Sequence, residues 1–334
     1  MGRYGYWVVD GDGHVAEPES LWARHLPAKY QDAAPRVVTD NRGVKRVLID
    51  GWFWTTPPGP GVGHPGGYVG GPRVDTYSGG SDPHARLADM DAEGIDVAVL
   101  FATVAMGPSA GMLPSGDVEF EAALCAAYNS WVAEYASADR GRLRPVAVLP
   151  TRNVPAAVTE LHRAVERLGF VGAELPTNSV GVRYPGDPSF DPIYEAAQAL
   201  GVPVFIHPHA GGQIAYVGRE RFRNFFHGHM IAFPFEQMIA AMHVVTEGVL
   251  ERFPRLRMGY PVSAGCPTGS SGWTSTGRSS RTWCPRCGVR PATGRRTRAS
   301  CSPAIPTRTR CRSRSSSSAT RRSCTRPIIR TGTR

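Results

Sequence analysis

Three side chains of metal-ligand type stand where two apolar runs of this chain end. After Trp7–Val9 the sequence reads Asp10-Gly11-Asp12-Gly13-His14, and after Val202–Ile206 it reads His207-Pro208-His209. On extended backbone Asp12 and His14, two residues apart, point to the same side. One carboxylate and two imidazoles suit a borderline divalent cation, zinc first, with manganese or iron admissible. Each group alone has a plainer reading, an Asp stabilising a turn or a His satisfied in a core. The expectation of a metal site therefore rests on Asp12, His14 and His207 arriving together. His227 and His229, in NFFHGHMIAFPFE, rank lower. They read as loop histidines first, with His229 kept as a substrate-contact candidate.

Something must bring the ends of these two runs together. Short apolar stretches recur at Trp7–Val9, Asp96–Thr103, Leu143–Thr151, Phe170–Leu175, Val202–His207 and Leu256–Tyr260, alternating with helical patterns. That alternation predicts a parallel sheet, and runs this apolar are covered on both faces. In a closed parallel barrel, catalytic groups gather at the C-terminal ends of the strands, where all three candidates lie. Helices are predicted over Asp82–Glu93, Val118–Ser137, Val154–Leu168, Pro192–Leu200 and Phe235–Phe253. Ser81 and Asp82 are cap candidates for the first of these, and Gly94 is its stop signal. Leu124, Tyr128, Trp131 and Tyr135 follow helical spacing and read as a packing face rather than a substrate surface. The Gly- and Pro-rich stretch Gly51–Gly80, with Trp52 and Trp54, reads as a long excursion shaping a pocket mouth or serving as a lid.

The 334 residues accommodate one (β/α)8 barrel of about 250 residues. The formal charge of +10 points to nucleic acid or an anionic membrane only if it is spread over the fold, and it is not. From Ala264 to Arg334 there are 16 Arg, no Lys and no acid, so residues 1–263 hold 22 basic residues against all 28 acidic ones. The acidic body excludes nucleic-acid and membrane-surface partners and leaves a small-molecule substrate, with a homodimer as the admissible assembly. Of seven cysteines only Cys125 lies in the body, which predicts a reducing, cytoplasmic setting. The first residues show no export signal, and no run reaches the roughly 18 apolar residues of a membrane span.

Six ordered segments carry a resemblance: VVDGDGHVAEP, RLADMDAEGIDVAVLFAT, AAYNSWVAEYASADRGRLRPVAVLPT, LGFVGAELPTN, DPSFDPIYEAAQALGVPVFIHPH and GVLERFPRLRMGY. Together, from Trp7 to Tyr260, they resemble the amidohydrolase-2 family, relatives of aminocarboxymuconate semialdehyde decarboxylase. The resemblance implies a (β/α)8 TIM barrel with one divalent metal, bound by a pair after strand 1, a His after strand 5 and an Asp after strand 8. Asp12, His14 and His207 match the first three positions. It also implies hydrolysis of a small organic substrate by metal-activated water, or nonoxidative decarboxylation of a small, often aromatic, acid. Hydrolysis is the reading placed first here and the carboxy-lyase second. Two departures stand out: Tyr260-Pro261-Val262-Ser263 occupies the place where the decarboxylase branch has a His after strand 6, and no acid follows Glu251 to supply the strand-8 Asp.

The organisation expected is thus a barrel domain over 1–263, strands 1 to 6 of an incomplete TIM barrel, and a low-complexity, disordered Arg/Ser-rich tail over 264–334. The tail contains no Leu, Phe, Tyr, Met or His and cannot supply two barrel strands with their helices. An RNA-binding role and a half zinc site at Cys284-Pro285-Arg286-Cys287 are weaker readings, since a lone CxxC lacks partner spacing. A change of reading frame near Val262–Gly265 accounts for it better. Shifting the frame by one base lets Cys324–Thr333 read Y-A-S-D-Y-P-H-W-D, with an Asp of the kind the resemblance implies, and lets Pro303–Thr309 read C-D-P-D-E-D. An inactive truncated product is thus a further alternative beside the hydrolase and the carboxy-lyase. Resequencing codons 255–334 from source DNA should reveal one gained or lost base; an unchanged sequence would rule out the frame change.

Overall fold

The computed structural model describes residues 5–39, 41, 45–53, 78–179, 183–209, 215–222 and 231–261. The first strand, β1 (Val9–His14), is followed by α1 (Glu19–His25) and by an antiparallel sheet of β2 (Arg36–Thr39), β3 (Lys45–Ile49) and β4 (Trp52–Phe53). Then come α2 (Pro83–Glu93), β5 (Val97–Phe101), the short α3 (Met106–Ser109), α4 (Val118–Ala136), β6 (Leu143–Pro145) and β7 (Ala147–Val148). After α5 (Val154–His162) follow β8 (Ala173–Pro176), α6 (Asp191–Leu200), β9 (Val204–His207), α7 (Phe233–Thr246), α8 (Val249–Arg252) and β10 (Met258–Gly259).

Outside the small antiparallel sheet every strand pairing is parallel: β1 with β5, β5 with β6, β7 with β8, β8 with β9 and β9 with β10. Only Val146 separates β6 from β7, and its N–H donates to Leu100 O at 3.0 Å. Leu143–Val148 is therefore one strand that pairs first with its predecessor and then with its successor. The six expected strands are present, in sequence order, with helices in the crossovers, as a TIM-barrel fold requires. The tail, Trp54 and most of Gly51–Gly80 lie outside the described residues. Trp52 belongs to β4 and sits beside Ile49, Pro108, Met112 and Leu113. Among the described residues no helix is long and apolar enough to cross a membrane.

The helix signals work through backbone groups. Asp82 accepts from His84 N–H at 2.9 Å with Pro83 in the first turn, and Gly94 closes α2 in the left-handed region at φ 76°. Asp117 caps α4 by accepting from Glu119 N–H and Phe120 N–H. Leu124, Tyr128, Trp131 and Tyr135 are all buried, so the stripe is core, and Tyr135 OH also donates to Gly79 O at 2.7 Å.

β1 runs through the Gly-rich segment to His14, as the placing of Asp12 and His14 at its end expects; pairing with β5 supplies partners that local propensity does not, and an irregularity between Asp10 and Gly13 absorbs the mismatch. Two helix boundaries differ from the sequence expectation. The helix expected to Leu168 changes at Arg163 into a π turn through Arg167. The helix expected over Phe235–Phe253 breaks at Gly248, which adopts φ 71°, and restarts as α8.

The seam where the strand changes partners depends on one side chain. Asn129 of α4, fully buried, donates from Nδ2 to Val148 O at 3.0 Å and accepts at Oδ1 from Val148 N–H at 3.1 Å. Its Nδ2 also donates to Glu160 Oε1, itself held by Arg163. Asn129→Ala leaves both backbone groups of Val148 buried without that partner, and should lower unfolding stability by about 3 kcal/mol in urea titrations. A loss under about 0.5 kcal/mol would show that the amide does not secure this seam.

Candidate metal centre

β1 and β9 end at the same level of the sheet interior. His14 lies beside Phe101 in the β1–β5 register, and Pro176 beside His207 in the β8–β9 register. The Phe101 ring lies 6.3 Å from His14 and 5.3 Å from His207, a floor on which both imidazoles rest. Phe205, a layer below, meets Phe101 edge-on at 5.4 Å. It fits because Gly172 and Gly259 lack side chains on either side of it; a Cβ on Gly172 would come within 2.7 Å of the Phe205 ring.

The two imidazoles are anchored alike. His14 Nδ1 lies 2.6 Å from Ala102 O, and His207 Nδ1 lies 2.8 Å from Pro208 O. A carbonyl can only accept, so each Nδ1 carries the proton and each Nε2 is the outward nitrogen. Both Nε2 atoms face the same oxygen: Asp12 Oδ1 is 3.3 Å from His207 and 3.9 Å from His14. One ligand atom from each of Asp12, His14 and His207 falls within 4.8 Å of the others. His207 is buried, whereas His14 and Asp12 are part-exposed, which leaves one open side.

The anchors are themselves held. Arg86 of α2 donates to His14 O at 2.8 Å. Glu17 Oε1 accepts from the N–H groups of Thr103, Val104 and Ala105 at 2.9, 2.9 and 3.1 Å, and Thr103 Oγ1 donates to Val15 O. These bonds fix the turn after β5, and with it Ala102 O, relative to the end of β1. On the other side Gln237 of α7 donates to Ile206 O and Pro261 O, joining the ends of β9 and β10.

Burial works to lower the His207 pKa, but the hydrogen bond and charge of Asp12 outweigh it and carry it up. Glu174 of β8 is 1 % exposed, and neither carboxylate oxygen has a hydrogen-bond partner among the described residues. Burial first, then the like charges of Glu17 and Asp12, push its pKa up to about 8, against the opposing influence of His207. His209, also buried, is held down by burial and by its neighbours His207 and His14.

The three expected ligands thus converge, and the donor set fits a divalent cation: one carboxylate oxygen and two imidazole nitrogens whose other nitrogens are already committed. His229 lies outside the described residues. Sequence reading passed over Glu17, Glu174 and Asn178. For Glu174 the signal was available, a carboxylate inside an otherwise apolar run, GAELP.

The family model for amidohydrolases matches residues 9–261. This chain belongs to the amidohydrolase family. Among curated relatives, the 2-amino-3-carboxymuconate-6-semialdehyde decarboxylase of Dictyostelium discoideum is 27% identical over 184 residues, 55% of this chain and 48% of the relative. The gamma-resorcylate decarboxylase of Polaromonas sp. is 30% identical over 138 residues, 39% of this chain and 41% of the relative. Among solved structures, an amidohydrolase from Mycobacterium avium subsp. paratuberculosis superposes with a TM-score of 0.59 at 20% identity, over 77% of this chain and 73% of that one, a likeness of fold. The chain spans about half the length of the curated relatives it matches. The cluster lies at the end of the parallel strands, where barrels of this kind place their chemistry.

The raised pKa of Glu174 has a signed consequence. Between its ordinary value of 4.5 and about 8 the folded chain holds a proton that the unfolded chain has lost. This contribution to stability is full below pH 4.5 and falls as pH rises through 8. Glu174→Gln should therefore stabilise the metal-free protein at pH 8.5, by on the order of 3 kcal/mol, and much less at pH 5. Thermal melts of both proteins across this range test it; parallel stability–pH curves would show that Glu174 titrates normally.

Proposed function

We propose that this chain is a metal-dependent, nonoxidative decarboxylase of a small carboxylic acid, with Asp12, His14 and His207 holding one divalent cation. The convergence of one carboxylate and two Nδ1-anchored imidazoles on a single point carries the reading. Hydrolysis, which the sequence placed first, would use the same cluster, but both curated relatives named above are decarboxylases, and this favours the carboxy-lyase. Zinc is the ion assigned first, with manganese admitted by the same donors. The lone body cysteine supports a cytoplasmic setting.

A bound dication would supply the positive charge that holds and polarises an anionic substrate. The chain sets the size of that charge. Two neutral imidazoles and one carboxylate leave such a site at about +1, matched to a monoanionic acid. The carbonyl anchors at Ala102 and Pro208 fix the direction of each Nε2 without movement during the reaction. Phe101 beneath the imidazoles keeps water from below, and the part-exposed side at Asp12 and His14 admits the acid. The reaction breaks the bond between carboxylate carbon and substrate. Carbon dioxide leaves, and the carbon that keeps the electron pair takes a proton.

Chain loaded with Mn2+ or Zn2+ and given carboxyl-13C aromatic acids in D2O should release labelled CO2 and place one deuterium at the vacated carbon. Asp12→Asn and His207→Ala should each lower bound metal at least about tenfold, and activity with it. Chelation should abolish turnover and re-addition of metal restore it. Hydrolysis of lactones or amides with water oxygen in the product, and no CO2 from any acid, would falsify the decarboxylase reading.

A further inference from the structure

β1 carries two of the three cluster ligands on the one stretch where its pairing is irregular. Its register with β5 sets Asp10 beside Ala98 and then Gly13 beside Leu100, three steps along β1 against two along β5. The extra residue falls within the stretch that contains Asp12, so the ladder alone does not set the direction in which Asp12 points. Something else must hold this bulge, and two side chains reach it.

Asp10 is the first. Its Oδ1 accepts from Asp12 N–H at 3.1 Å, closing a turn around Gly11. Arg86 is the second. It lies with Met90 on the buried face of α2, is 8% exposed, and donates from Nη2 to His14 O at 2.8 Å. A guanidinium is costly to bury unless its charge is answered, and the answering charge stands at Gly13. A Cβ on that residue would come 2.8 Å from Asp10 Oδ2, 3.2 Å from Arg86 Nη2 and 3.1 Å from Val99 O. Both charged groups therefore border the side of Gly13 that carries no side chain, and their atoms lie within about 6 Å of each other, close enough to attract.

We propose that Arg86 and Asp10 are positioning residues for the metal centre: meeting over Gly13, they hold the bulge of β1 so that Asp12 and His14 present their ligand atoms towards His207. This rests on the metal site proposed above but not on the reaction. Asp12 is oriented through its own N–H and His14 through its own carbonyl. Neither bond uses a ligand atom, so both persist when a cation binds. His14 is thereby fixed at two points, its carbonyl by Arg86 and its Nδ1 by Ala102 O. Arg suits the place better than Lys because its donors lie in one fixed plane.

The experiment is calorimetric titration of the full chain with Mn2+, at a temperature where thermal melts show parent and variants folded, together with the visible spectrum of the Co2+-loaded protein. Arg86→Gln and Asp10→Ala leave all three ligands in place. Each should weaken Mn2+ binding at least about tenfold and move the Co2+ ligand-field bands. Arg86→Lys, which keeps the charge and one donor, should recover part of the loss. Gly13→Ala sets a methyl group between the two charged groups and should weaken binding by a similar factor. Added to Arg86→Gln it should cost less than about threefold more, since both act on one contact. A side chain that serves stability alone would shift the melt and leave folded-state affinity and spectrum at the parent values. That result in either Arg86→Gln or Asp10→Ala overturns the pair, as do fully independent effects of Gly13→Ala and Arg86→Gln. Should Arg86→Gln not fold, parent-like affinity in both Arg86→Lys and Gly13→Ala overturns it instead. The two readings also separate: a parent chain that binds no Mn2+ sinks the metal site and the positioning role with it, whereas equal binding by parent and variants sinks the positioning role alone.

Discussion

Two backbone carbonyls, Ala102 O and Pro208 O, determine what Asp12, His14 and His207 can do together. Each accepts a hydrogen bond from one imidazole Nδ1–H and so dictates that Nε2 faces Asp12. Were either ring free to turn, the cluster would offer a mixture of tautomers and directions, and a cation would have to order it at its own expense. The carbonyls sit one residue beyond Phe101 in β5 and beyond His207 in β9, so their positions follow from the sheet. Glu17, with three N–H groups on one oxygen, and Gln237, with its amide nitrogen on two carbonyls, then lock those turns. The chemistry at the centre thus depends on side chains that never touch it.

The interior beneath the cluster shows the same economy of means with opposite polarity. Phe205 fills the space between Gly172 and Gly259, and Phe101 bridges from it to the imidazoles. Beside Phe205 in register is Glu174, a carboxyl in a place where the pattern calls for an apolar side chain. An apolar residue there would pack without penalty, whereas a buried acid survives by holding its proton near neutrality. Local rules broken inside a well-packed core tend to mark functional ground, and Glu174 lies directly under such ground.

Much of this was legible in the sequence because the signals were local or periodic. Asp82 and Gly94 punctuate α2 through their own backbone geometry, and the stripe from Leu124 to Tyr135 declares its buried face by spacing alone. Asp12 and His14 could be paired because strand geometry makes residues two apart neighbours. His207 joined them only through the expected topology, which the parallel register bears out. What stayed hidden was non-local. That β1 keeps its pairing across an irregularity in the Gly-rich stretch depends on β5, 87 or 88 residues later in the register. That Asn129 serves Val148, or that Asn178 is oriented by Ala215 and Glu236, depends on contacts that no window of sequence contains.

The far edge of the sheet joins these strands of argument. Among the described residues β10 pairs on one side only, with β9, and it is two residues long. A parallel barrel closes by continuing past such an edge, since an open row of backbone groups next to apolar interior invites association with other chains. The residues that would have to continue it, from Ala264 onward, contain no Leu, Phe, Tyr or Met and no acid. Strands covered on both faces are built from such apolar residues. The cluster as assembled offers three protein ligands, a set that leaves a divalent ion an open position for water or substrate.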